Sequence, residues 1–225
     1  MKPVVGIFAH PDDEAFGPRG TISTFAKEGR DVYIMCVTHG DAGENHSDKA
    51  HNLIDIREEE LRASARELGI KDVIFLDFRD GTLSNNLYHE VADKIQEQLE
   101  KIEPEIVITL EHHGISGHLD HIAVSLITTF VFKKMQSIKE LWYFSLTEEG
   151  REKVGKYLGD YFIYFPPGHN KSEITKTIDV SSVWEQKIAA MKQHDSQKPD
   201  VEAHLKAFAE LPKEENFIIL TKDTE

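Results

Sequence analysis

The feature that most limits what this chain can become is a fourfold alternation of short apolar runs with longer amphipathic stretches. Residues 4–9, 32–38, 73–76 and 106–110 are dominated by Val, Ile, Leu, Phe and Met and end in polar loops, the pattern of strands buried on both faces of a parallel sheet. Residues 21–28 can form a helix that stops at Gly29. Residues 54–68 place Leu61, Ala65 and Leu68 on one helical face, with Gly69 positioned as a left-handed end. Residues 87–102 align Leu87, Val91, Ile95, Leu99 and Ile102 in one stripe before Pro104, and residues 121–134 continue the alternation as a further helix. Strands separated by helices require right-handed crossovers with helices on both sides of the sheet. The expected fold class is α/β: a Rossmann-like, mostly parallel sheet in a three-layer α/β/α sandwich.

The second half is more mixed. Residues 141–144, 161–165 and 176–180 read as strands. Ser182 and Glu185 have capping-box spacing and open a helix running to about His194, and a short helix over 203–211 precedes the apolar run 217–220. No repeat, low-complexity tract or long Pro/Gly linker divides the chain. Residues 1–225 are therefore expected to form one domain, with a Rossmann-like core over 1–135 and an elaborated C-terminal part over 136–225.

Charge narrows the partners. The 26 basic and 40 acidic residues give a net charge of -14 without a basic cluster, which argues against nucleic acid and anionic membrane surfaces. No apolar stretch reaches the ~18 residues of a membrane span, and the N-terminal residues carry no secretory apolar region. The expectation is a cytoplasmic protein acting on a small molecule, with homo-oligomerisation left open. The single cysteine, Cys36, lies inside an apolar run and reads as a buried structural thiol. Trp142 and Trp184 read as core. The twelve histidines pose the sharper question of which of them converge.

Two clusters answer it. Ala9-His10-Pro11-Asp12-Asp13-Glu14 follows the first strand, and Gly117-His118-Leu119-Asp120-His121 follows the fourth. Ligands of open parallel sheets bind beyond the carboxyl ends of the strands, so both clusters belong to one edge. Each alone has a plain alternative as a polar loop capping a helix. Together they offer His10, Asp13 and one of His118 or His121 as metal ligands, with a carboxylate and a histidine left over. Three protein ligands with an open fourth position form the catalytic zinc pattern, and the remaining pair suits a general base and a group that stabilises or protonates the reacting centre.

These motifs resemble the LmbE-like or PIG-L family of zinc-dependent N-acetylglucosaminide deacetylases. The resemblance extends to Arg57-Glu58-Glu59-Glu60-Leu61 at a helix start, to Arg79-Asp80-Gly81 after the third strand, and to Lys187, Ala190, His194, Ser196 and Gln197 near the late helix end. It implies one Zn2+ per chain, or another divalent metal, held by His10, Asp13 and His121. It implies Asp12 as general base, and His118 as stabiliser or acid with Asp120 orienting its ring. It further implies Arg57 and Asp80 as holders of an amino-sugar substrate, and His194 as a residue lining the site. Two positions depart from the family pattern: Leu119 stands where many members carry Pro, and Ser116 where some carry a Tyr. His39, His46, His51, His89, His112, His113, His169 and His204 read as ordinary. Two alternatives stand beside this reading: a metal-dependent amidase acting on a non-sugar N-acyl group, and a non-catalytic Rossmann-like sugar- or nucleotide-binding module. The first loop lacks the G-x-G-x-x-G that the module would carry.

Overall fold

The computed structural model describes residues 1–222. Their element order is β1 (Val4–Phe8), α1 (Asp13–Phe16), α2 (Arg19–Lys27), β2 (Val32–Thr38), α3 (Leu53–Leu68), β3 (Asp72–Phe78), α4 (Tyr88–Ile102), β4 (Ile106–Leu110), α5 (Leu119–Lys134), β5 (Glu140–Ser145), α6 (Glu148–Leu158), β6 (Lys176–Asp179), α7 (Trp184–Met191), α8 (Lys198–Ala209) and β7 (Glu214–Thr221). Among the described residues these strands form one seven-stranded sheet in the order β3-β2-β1-β4-β5-β7-β6. The first five strands are mutually parallel, β7 runs antiparallel to β5, and β6 runs antiparallel to β7.

Alternate residues of each parallel strand enter different cores. Val5, Ile7, Met35 and Val107 pack with Val91 and Ile95 of α4 and Val124 and Ile127 of α5. Val4, Phe8, Ile34, Cys36 and Ile108 pack on the other face with Ile22 of α2 and Leu61 and Ala65 of α3. The expected α/β sandwich is present. Cys36 is fully buried among these side chains, and burial pushes its thiol well above the ordinary value. Gly69 ends α3 with φ 74°, the left-handed conformation its place in the sequence predicts.

Two local readings are corrected, and one further helix is present. Residues 161–165 are not a strand: Phe162 and Phe165 pack with Val154, Leu158 and Ala207, while Arg151 donates to the carbonyls of Phe165 and Pro166. α6 is a helix the apolar pattern does not announce. Ser182 does not cap α7, because a 3-10 turn over Ser181–Val183 intervenes and the α7 start has no side-chain cap.

Topology positions the site. The chain leaves β1 for β2 and β3 on one side and returns to β4 on the other. The β1 and β4 ends therefore flank a crevice where the strand order reverses, the place where such sheets bind ligands.

Candidate active site and metal centre

Asp13, directly beyond β1, has one oxygen fixed and one free. Its Oδ2 accepts from the backbone N–H groups of Ala9 and His10 at 3.0 and 2.9 Å, which aims Oδ1 at His121 Nε2, 3.0 Å away. His121 Nδ1 lies 3.0 Å from the carbonyl of Gly114. A carbonyl only accepts, so Nδ1 carries the proton and Nε2 presents a lone pair. His10 is arranged in the opposite sense. Its Nε2 lies 2.8 Å from Asp80 Oδ1 and 3.6 Å from Asp120 Oδ2, so the proton belongs there, although neither contact is a well-aligned hydrogen bond. His10 Nδ1 faces His121 Nε2 at 3.0 Å.

Three lone-pair atoms, His10 Nδ1, Asp13 Oδ1 and His121 Nε2, thus converge, and only positive charge between them relieves their repulsion. The surrounding charges act in the same direction. Burial opposes the charged form of His10, but Asp120, Asp80 and Asp13 outweigh it and raise its pKa to about 10. Burial likewise opposes ionisation of Asp13, yet His121 and His10 hold it below the usual carboxylate range. A divalent cation satisfies the same field. His121 Nε2 lies 3.0 Å from both His10 Nδ1 and Asp13 Oδ1, and these two spacings need only slight expansion to the about 3.3–3.6 Å edges of a tetrahedron with metal–ligand bonds of about 2.0–2.2 Å. The donor set fits zinc.

His118 caps α5 and is only partly shielded from solvent. Its Nδ1 accepts from the backbone N–H of Asp120 at 3.2 Å, leaving Nε2 as a donor, and burial with the neighbouring His121 and His10 rings lowers its pKa. Its ring centroid is 4.8 Å from that of His10 and 4.9 Å from that of His121. A neutral imidazole N–H therefore stands beside the converging ligands.

Asp12 is buried beside Asp13, and Arg57 Nη2 donates to its Oδ2 at 2.8 Å. Burial raises the Asp12 pKa, Arg57 pulls it back, and it settles at about 6. A carboxylate there is both ionised and basic near neutrality.

The structure redistributes four expected roles. The Asp120 carboxylate does not touch the His118 ring; it accepts from Gly81 and Leu83 N–H at 2.8 and 3.2 Å, and only its backbone N–H orients His118. Both Asp80 oxygens face protein groups, Oδ1 at His10 and Oδ2 accepting from Ala42 N–H at 3.1 Å. Burial opposes its ionisation, but His10 and that N–H bring its pKa down to about 2. The Arg57 guanidinium is buried and bridges Asp12 Oδ2, the Pro11 carbonyl and the Gly40 carbonyl, so its two terminal nitrogens hold loops and the carboxylate together. His194 is 0% exposed and lies 3.2 Å from Glu14 Oε1, which also accepts from Ser64, so its ring meets protein groups and not solvent.

Several supporting groups escape sequence reasoning. The Gly114 carbonyl fixes the His121 tautomer, and Glu60 holds Ser196 through its N–H and hydroxyl at 2.8 and 2.6 Å. Glu215 accepts from Gly20 and Thr21 N–H and pairs with buried Lys187. Short motifs flag some of these residues, but the pairings span up to 195 residues. Leu119, next to His118 in sequence, and Tyr161, Ile163 and Tyr164 are exposed, and burial, followed by the charges of Asp200 and Asp12, raises the Tyr161 pKa.

Residues 5–132, which contain both motif clusters, match the profile of the PIG-L family, described as GlcNAc-PI de-N-acetylase. The chain belongs to the PIG-L family. Its reaction class is deacetylation, the hydrolysis of an amide. A 1D-myo-inositol 2-acetamido-2-deoxy-alpha-D-glucopyranoside deacetylase of Actinosynnema mirum is 30% identical, covering 85% of this chain and 79% of its own. A probable N-acetyl-alpha-D-glucosaminyl L-malate deacetylase 2 of Bacillus cereus is 36% identical over 53% of this chain and 56% of its own. Among solved structures, N,N'-diacetylchitobiose deacetylase of Pyrococcus horikoshii matches at TM-score 0.68 and 23% identity, covering 98% of this chain and 84% of its own. The 4-carboxy-2-hydroxymuconate hydratase of Pseudomonas putida matches at TM-score 0.72 and 17% identity, covering 98% and 96%. One PIG-L-like fold thus carries more than one chemistry, and the side chains decide the reaction. Among the described residues no helix is long and apolar enough to cross a membrane.

Proposed function

We propose that this chain removes the acetyl group from the N-acetylglucosamine unit of a small sugar conjugate in the cytoplasm, with zinc as its metal and residues 1–225 acting as one unit. The observation that carries this reading is the convergence of His10 Nδ1, Asp13 Oδ1 and His121 Nε2 beside a carboxylate, Asp12, poised at about 6. These three atoms would hold the metal. When bound, the ion supplies a Lewis acid for the acetamide carbonyl and brings the pKa of a water towards about 7.

The remaining steps belong to the chain. Asp12 takes a proton from the attacking water, and Arg57 keeps it ionised until it does so. The His118 Nε2–H donates to the oxygen that gains charge as the carbonyl carbon becomes tetrahedral. Protonated Asp12 then returns its proton to the departing amine. Asp80 and Asp120 hold the His10 ring by its far nitrogen, and Gly114 does the same for His121. Such supports typically contribute 10–100-fold in metal affinity or activity. The named substrates of the two curated relatives support an N-acetylglucosaminyl conjugate as substrate class.

The test is acetate release from N-acetylglucosaminyl conjugates and N-acetylated amino acids, before and after chelation and zinc return. Metal-dependent release from the sugar conjugates, lost in Asp12→Asn, is the expected result. Full activity in Asp12→Asn, or release from the amino acids alone, overturns the reading.

A further inference from the structure

A second group of metal-ligating side chains sits beyond β4. Glu111, His113 and His169 bring one ligand atom each within 4.8 Å of one another. Glu111 is buried, and its carboxylate is built into the loop: Oε1 accepts from Ile115 N–H at 3.0 Å and Oε2 from His113 N–H at 2.8 Å. One lone pair of Oε2 remains. His113 Nδ1 lies 3.4 Å from that oxygen and His169 Nε2 3.5 Å. These two separations fall within the about 3.3–3.6 Å edges of a zinc-sized tetrahedron. The two rings are nearly parallel, 14° apart, with centroids 6.3 Å apart.

The site is also supported from outside. His169 is anchored by backbone bonds in both directions, its N–H to the Leu146 carbonyl and its carbonyl from Glu148 N–H. Glu173 Oε1 stands 3.8 Å from His169 Nδ1, beyond hydrogen-bond distance but beside the ring nitrogen that does not face Glu111. Ile115 is held at φ 61°, a conformation that β-branched residues rarely adopt, with Glu111 gripping its N–H.

We propose that Glu111, His113 and His169 form a second divalent-cation site, of the two-histidine, one-carboxylate type that suits zinc, separate from the His10–Asp13–His121 centre. The ion would clip the 111–117 loop to the segment carrying His169. That loop bears the Gly114 carbonyl that fixes His121, so occupancy would stiffen the support of the first centre.

The proposal does not rest on the function assigned to the first centre, and the test separates the two. Metal-free protein is titrated with zinc in the micromolar range, and bound metal is counted after removal of free ion. The wild type is expected to take two equivalents, and His113→Ala/His169→Ala one. A His10→Ala/His121→Ala variant is expected to keep one equivalent and to give the tetrahedral visible absorption of cobalt when loaded with Co2+. His113 is exposed, so His113→Ala alone serves if the double variant misfolds. Zinc should also slow amide exchange over 111–117 in the wild type and not in His113→Ala. Equal stoichiometry in the wild type and the folded histidine variants overturns the proposal, as does failure of the His10→Ala/His121→Ala variant to bind any metal.

Discussion

Replacing Arg57 with Met should move the pH dependence of the reaction before it changes anything else. Arg57 Nη2 lies 2.8 Å from Asp12 Oδ2, with both groups buried. Opposite charges about 4 Å apart at an effective dielectric of about 20 interact by about 4 kcal/mol, equivalent to roughly 3 pKa units at 1.36 kcal/mol per unit. Relaxation and entering water reduce this, so a rise of about 1–3 units is expected for Asp12. The sign follows from removing a cation beside a carboxylate: the anion is less favoured, and a higher pH is needed to ionise it. With Asp12 starting at about 6, the acidic limb of kcat/KM should move to about 7–9. A shift of about 2 units leaves the variant roughly tenfold slower at pH 7 and nearly restored at pH 9. A bound cation lowers both limbs together, so the difference between variant and wild type carries the test. Acetate release measured from pH 5 to pH 10 under a chosen metal load, normalised to folded protein, reads it. Gly40→Ala is an independent probe: Gly40 has φ 67°, and a Cβ there would collide with the Arg57 guanidinium. It should shift the limb in the same direction. If Arg57→Met loses activity at every pH with an unmoved limb, Arg57 acts on the substrate and the coupling to Asp12 is refuted.

Asp80→Asn removes the negative charge from His10 Nε2 and should weaken metal binding by about 10–100-fold with little change in fold, as measured by competition with a chelator. Lys187→Met leaves buried Glu215 without its ammonium partner and should cost about 3–5 kcal/mol in urea denaturation; Lys187→Met/Glu215→Gln should recover part of that, and an additive double variant would count against the pairing. Burial, with Arg19 and Lys187 nearby, lowers the His204 pKa to about 4 against a hydrogen bond to the Asp200 carbonyl. Its neutral ring therefore contributes stability that is complete above about 6.5 and fades as pH falls towards about 4. His204→Leu should flatten the pH dependence of the urea midpoint across that window, and an unchanged slope would contradict the assignment.

Those side-chain pairings mark the boundary of what the sequence makes legible. Strands and helices of the first half can be read because their signals are local: a run such as Val32–Thr38 sends alternate residues to two apolar cores, and Gly69 must take a left-handed φ. The position of the site is equally legible, since a loop that follows a parallel strand has one place to go. α6 is hidden because Gly150 and Gly155 interrupt its helical pattern, and only Val154 and Leu158 carry its buried apolar face. Residues 161–165 look like a strand by composition, yet Pro166 and Pro167 follow, and Phe162 and Phe165 find a pocket instead of a sheet edge.

The chemistry divides along the same line. His10, Asp12, Asp13 and His121 stand out because two short motifs concentrate them. Whether Asp80, Asp120 and Arg57 meet substrate or protein depends on contacts between loops that the topology brings together. Asp12 meets Arg57 across 45 residues, and Asp120 reaches Gly81 across 39. A motif specifies which residues a site needs, and the fold decides which of them touch the reacting group. In this site both charged groups expected at the substrate contact protein groups, Arg57 the Asp12 carboxylate and Asp80 the far nitrogen of His10.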